Sequence, residues 1–213
     1  MLAALTGVLL GCWHVVSGPD HLAAITPLAT ESETERDGAR VGFAWGLGHA
    51  SGVWLVGLLL LAFGSVIPLE LVGAWGERVV GVAIIAVGAW GLWRARGAAE
   101  HEHGHEHGHG HEHEHPRGGR SALGIGLLHG VAGSSHLYGV LPALALTAGA
   151  RLSYLLGFGV GSIVAMGLFA GLFAAIVGRL PGSRERVRRW VLVGASIVAI
   201  VVGAIWLVLA TVG

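Results

Sequence analysis

Six stretches of this chain are apolar and nearly uncharged for long enough to cross a lipid bilayer: residues 2–29, 40–63, 75–94, 121–148, 152–178 and 189–211. A helix needs about 20 such residues to cover the hydrocarbon. In lipid every backbone N–H and C=O must be satisfied within the chain, so only helices and closed barrels span it. The runs are continuous rather than alternating, which selects helices. Only 12% of the residues are charged, against about 25% in a soluble protein. The expected fold is an all-α integral membrane protein of six transmembrane helices, with the bilayer as its first partner. The formal net charge is zero, and nucleic acid is not an expected partner.

Arginine sets the expected orientation, because the chain has 13 arginines and no lysine. With six spans, loops 30–39, 95–120 and 179–188 share one side. They carry Arg36, Arg94, Arg96, Arg117, Arg120, Arg179, Arg184, Arg186 and Arg188, with Arg40 and Arg189 at their edges. The opposite side holds Arg78 and Arg151. The positive-inside rule makes the first side cytoplasmic and leaves both termini outside. The opening MLAALTGVLL lacks a basic n-region, so it reads as a span rather than a removable leader. Trp75, Trp90, Trp93, Trp190 and Trp206 fall near span ends, as an interfacial belt would place them, whereas Trp13, Trp45 and Trp54 are expected between helices.

The chain repeats itself. GCWHVVSGPDHLAAITP (11–27) and GLLHGVAGSSHLYGVLP (126–142) share seven of 17 positions without a gap, among them His14/His129, Gly18/Gly133 and His21/His136. Further on, GFAWGLGHAS (42–51) resembles SYLLGFGVGS (153–162), with Gly46, Gly48 and Ser51 against Gly157, Gly159 and Ser162. Each half then holds three spans, and an odd number of crossings turns the second half upside down. The expected layout is two inverted three-helix repeats, 1–94 and 121–213, joined by a loop at 95–120. Binding sites in such folds lie near mid-membrane, at the repeat interface, on interrupted helices.

Histidine inside an apolar span is costly and therefore a candidate functional group. His14 and His21 are two turns apart, about 10 Å along an unbroken axis. One metal ion cannot span that distance, since its imidazole nitrogens lie about 2.0–2.1 Å away. Ser17-Gly18-Pro19 lies between them, and proline there should break the helix and swing Asp20 and His21 toward His14. Gly133 marks the matching break in the fourth span. His49 sits in the second span, His129 and His136 in the fourth. The second half keeps its imidazoles but replaces Asp20 with serine, so an asymmetric site is expected. Imidazole with carboxylate suits nickel, cobalt, zinc, copper or iron and disfavours magnesium and calcium. Cys12 is the only cysteine, which excludes an intrachain disulfide, and it reads as a small apolar filler.

Residues 100–115, EHEHGHEHGHGHEHEH, contribute His101, His103, His105, His107, His109, His111, His113 and His115. Such a tract builds no core and is expected to be a disordered cytoplasmic chelator of borderline divalent metals.

HVVSGPDHLAA (14–24), GFAWGLGHAS (42–51) and GIGLLHGVAGSSHL (124–137) together resemble the nickel/cobalt transporter superfamily, in particular its small UreH/NicO-type members. The resemblance covers most of the chain. It departs in placing five residues rather than four between His14 and Asp20-His21, and Ala50 after His49. It implies a secondary transporter of Ni²⁺ or Co²⁺ (Zn²⁺ a further substrate) in a bacterial inner membrane. It also implies that His14, Asp20, His21 and His49 hold the metal. The chain carries no nucleotide-binding motif, so ATP would require a partner chain, and no enzymatic activity or prosthetic group is expected. Homo-oligomerisation is compatible with the sequence. Two readings compete: a membrane-embedded metal sensor or accessory protein, and a metalloenzyme with the same ligands.

Overall fold

A computed structural model describes residues 1–63, 69–100, 117–132, 135–181 and 184–212. The expected histidine-rich chelator (101–115) and Gly133 lie outside the described residues, as does the side chain of His136. The described residues form eight helices: α1 (Leu2–Ser17), α2 (Pro19–Thr30), α3 (Glu35–Phe63), α4 (Leu69–Glu100), α5 (Arg117–Ala132), α6 (Ser135–Leu144), α7 (Ala148–Arg179) and α8 (Arg184–Val212). Four of them (α3, α4, α7 and α8) contain stretches long and apolar enough to cross a membrane, and the bent pair α1–α2 passes the same test only when its two pieces are taken together, as a broken span or a re-entrant loop. α5 and α6, of 16 and 10 residues, are each shorter than a span. The chain is an all-helical membrane protein.

The break between α1 and α2 follows from Gly18-Pro19. The residue before a proline is pushed out of the helical region, and Gly18 is extended at φ −91°, ψ 102°. Proline then opens α2 at a position where a missing N–H is harmless. The two pieces meet at 73°. Glycine is needed at 18 for space rather than for an unusual dihedral: a Cβ there would lie 2.5 Å from His21 Nδ1 and 2.9 Å from Asp20 Oδ1. α3 begins with a side-chain cap. The Thr34 hydroxyl donates to the Asp37 carboxylate (2.7 Å) and accepts the Asp37 N–H (3.1 Å).

The packing is reciprocal. α1 runs parallel to α7 and α5 runs parallel to α3, each pair joined through glycine. A methyl on Gly11 would overlap the Phe158 carbonyl, and one on Gly126 would overlap the Trp45 carbonyl. Gly161 likewise meets the Val8 carbonyl, as Gly48 meets that of Leu123. α3 and α7 run antiparallel, with Gly42 against Met166 and Gly38 against Ala170. α4 and α8 are antiparallel too, and Gly81 and Gly203 each abut the other's carbonyl. Small residues at these seams let backbones approach, which is how helices associate where lipid removes the hydrophobic drive.

These pairs correct the register expected within the second motif. If Gly11 corresponds to Gly126, then Phe158 corresponds to Trp45. Gly46, Gly48 and His49 therefore face the roles of Gly159, Gly161 and Ser162, two residues beyond the sequence match. Gly157, Gly159 and Gly161 repeat every second residue, so glycine aligns with glycine in either register.

Large apolar side chains face outward: Trp93, Trp190 and Leu168 are about two-thirds exposed. Trp13 joins them at 68% exposed, rather than packing between helices as expected. Its neighbours Gly11 and Val15 hold the buried face of α1. Inside lie Val15, Ala24, Ile25, Ala29, Trp45 and Met166. α2 is buried along most of its length. Its C-terminal carbonyls are held by Arg188, which donates to Thr30 (3.2 Å) and Glu31 (2.6 Å). Arg94 reaches the Glu31 carboxylate at 2.7 Å. At the end of α6, Arg151 does the same work, donating to the carbonyls of Ala143, Leu144 and Leu146.

Candidate metal centre

The broken helix brings together what an unbroken one would hold apart. The His14 and His21 rings lie 4.5 Å apart, edge to face. α3 adds His49, 5.8 Å from His14 and 4.9 Å from His21. α5 adds His129, 4.7 Å from His21 and 5.8 Å from His49. Four imidazoles from four helices thus meet around one point. His21, His49 and His129 are buried, as is Asp20.

Asp20 joins two of them. Its Oδ1 is 3.0 Å from His21 Nδ1 and its Oδ2 is 3.0 Å from His129 Nε2. A carboxylate can only accept, so both ring nitrogens donate to it. The carboxylate thereby ties α2 to α5 across the two halves of the chain. Buried charge persists where it is paired in this way.

Two overlapping groups can each offer three donor atoms within 4.8 Å of one another: His14, His21 and His49, and Asp20, His21 and His129. Of the expected site residues, the structure therefore gathers His14, Asp20, His21, His49 and His129. Cys12 stands apart, its thiol 3.4 Å from the Gly161 carbonyl.

Aromatic walls complete the cluster. Trp45 stacks on His49 with planes 4° apart and centroids at 5.6 Å, and it lies 5.3 Å from His129. Phe158 lies 5.3 Å from His14. Sequence reasoning placed Trp45 between helices without assigning it to the site. The signal was its position one turn before His49, on the same helix face. Phe158 carried no local signal, because only the α1–α7 packing delivers it. A cavity of about 350 Å³ reaches the cluster from the side of the helix break. Its lining includes His14, Ser17, Asp20, Tyr154, Phe158 and Trp206. The Tyr154 hydroxyl donates to the Gly139 carbonyl at 2.7 Å on that wall.

The chain is 34% identical over 207 residues to the chloroplast protein FOR GROWTH AND FERTILITY 2 of Arabidopsis thaliana, covering 95% of this chain and 55% of that protein. It is 33% identical over 217 residues to FOR GROWTH AND FERTILITY 1 of the same plant, covering 95% and 58%. The chain thus spans a little over half the length of these two relatives. A more distant homologue is the urease accessory protein UreH of Bacillus sp. (strain TB-90), 28% identical over 179 residues, 81% of this chain and 76% of that one. No family model matches the chain, and no solved structure matches it.

Proposed function

We propose that the chain is a secondary transporter of a divalent transition-metal ion, Ni²⁺ or Co²⁺ before Zn²⁺. The observation that carries this reading is the clustering of four imidazoles from four helices, two of them bridged by one buried carboxylate, inside a membrane protein and beside a cavity that reaches His14 and Asp20. Such donors suit borderline divalent metals. Homology to a urease accessory protein and the resemblance of the histidine motifs to nickel/cobalt transporters support the same substrate class.

The reciprocal seams and opposed helix directions support two inverted three-helix repeats with the ion between them, the arrangement that alternating access uses. The arginine distribution supports a cytoplasmic histidine-rich loop and external termini in a bacterial inner membrane. Metal collected by that loop favours export over import. The bilayer and the ion are the partners, and no catalysis is assigned.

Proteoliposome flux of Ni²⁺, Co²⁺, Zn²⁺, Mn²⁺ and Fe²⁺ under both directions of pH gradient tests the proposal. His14→Ala, His49→Ala and Asp20→Asn should each abolish or sharply slow flux. Wild-type rates in all three would remove the site. Tight binding without movement would mark an accessory or sensor protein instead.

A further inference from the structure

We propose that Glu31, Arg94 and Arg188 form a latch that closes the ion path at the C-terminal end of α2, and that transport requires this latch to open. The latch adds a gate to the proposed metal-transport reading, on which it rests.

The cavity and the latch lie at opposite ends of α8. The cavity is lined by His14, Ser17, Tyr154 and Trp206, and Ser17 is exposed. Trp206 falls in the last two turns of α8, whereas Arg188 falls in its first two. The helix between them rises about 27 Å, most of the roughly 30 Å of hydrocarbon. From His21 toward Thr30, α2 carries Ile25 and Leu28, which join Ile84 of α4 and Ala199 of α8 in one buried apolar cluster. Such a constriction stops an ion by excluding its water. At the far end of α2, Arg188 donates to the carbonyls of Thr30 (3.2 Å) and Glu31 (2.6 Å). Arg94 donates to the Glu31 carboxylate at 2.7 Å.

The elements on either side of the latch form separate packing units. α4 and α8 pack chiefly on each other, with Gly81, Gly88 and Gly203 at the seam. One arginine of the latch sits on each of them. α2 is clasped to that pair at one end and joined to α1 at the other through the single extended residue Gly18. α6 is also held at its C-terminal end by an arginine, but that is Arg151 of α7, and α7 belongs to the glycine-seamed stack with α1 and α3. A displacement of α4 and α8 therefore pulls on α2 before α6. Small hinge and shear motions of this kind are how packed helices open a path. The side chains of Arg94 and Glu31 are 52% and 29% exposed. A pair so exposed is weak, which suits a bond that breaks and re-forms in every cycle.

The experiment is cysteine labelling of the full-length protein in metal-free proteoliposomes of known orientation. Cys12 is the only cysteine, so Cys12→Ser gives a clean background. Ala29→Cys reports the latch end, where Ala29 is fully buried; Ser17→Cys reports the cavity. A membrane-impermeant maleimide is applied to each face in turn. With the latch intact, position 17 should label and position 29 should react slowly. Glu31→Gln and Arg94→Gln should each speed labelling at 29 by about two- to fivefold, the range open to an exposed pair, and leave 17 no faster. The double variant should match either single one, because both cut the same bond. Unchanged labelling at 29 overturns the latch, and so does faster labelling at both positions, which is loosened packing rather than a gate. The labelling involves no ion, so it stands apart from flux: wild-type vesicles that move no Ni²⁺ overturn the transport reading whatever the labels show.

Discussion

Gly18→Ala places one methyl against the side chains of the candidate site. The backbone at φ −91°, ψ 102° is open to any residue, so the substitution carries no dihedral strain. Its effect is contact: the new Cβ would lie 2.5 Å from His21 Nδ1, 2.9 Å from Asp20 Oδ1 and 3.0 Å from the His14 carbonyl oxygen. Relief to ordinary van der Waals distance needs a shift of about 1 Å, and the 3.0 Å bond between Asp20 and His21 is what gives way. A hydrogen bond to a charged group contributes about 1.5–3 kcal/mol, and losing an outer-shell partner weakens metal binding 10–100-fold. Gly18→Ala should therefore lower Ni²⁺ affinity by that factor and lower the thermal midpoint. The measurements are calorimetric titration in nanodiscs and a melt of the ion-free protein. Gly194→Ala is the control, because a methyl there meets nothing within 4 Å, and both quantities should hold. Wild-type affinity in Gly18→Ala would refute the claim that Gly18 makes room for the Asp20–His21 pair.

Arg188→Ala removes two donors from the last carbonyls of α2 and should destabilise the fold by about 1–3 kcal/mol; a thermal melt in detergent checks this. Gly11→Ala and Gly126→Ala push α1 off α7 and α5 off α3 at matching carbonyls, so their melting points should fall by similar amounts. A loss confined to one of them would contradict the reciprocal packing. Replacing the eight loop histidines by serine should reduce the number of Ni²⁺ ions bound per chain while leaving the tightest dissociation constant unchanged, as equilibrium dialysis would read.

Local chemistry made part of this architecture legible. Long apolar runs announced α3, α4, α7 and α8, and Pro19 announced the break between α1 and α2, because a proline's missing donor acts on its own turn of chain. The histidines were visible as costly groups in an apolar setting. Register was not. Gly157, Gly159 and Gly161 offer two equally good glycine matches, and only the seam between backbones chooses one. The choice matters because two residues on a helix is a turn of about 200°, which moves Ser162 rather than Val160 into the position matching His49. Trp13 misled for a related reason. Its depth in the sequence said nothing about azimuth, and Gly11 and Val15 had already claimed the inner face of α1.

Scaffold and chemistry obey different symmetries. The residues that let backbones touch recur in both halves: Gly11 with Gly126, Gly48 with Gly161, and Gly81 with Gly203 across α4 and α8. The residues that carry charge or donors do not, since Asp20 corresponds to Ser135 and His49 to Ser162. One carboxylate bridging two imidazoles sets a single negative charge within the histidine cluster. Packing thus gains from repetition, whereas a single ion seat requires that repetition to lapse.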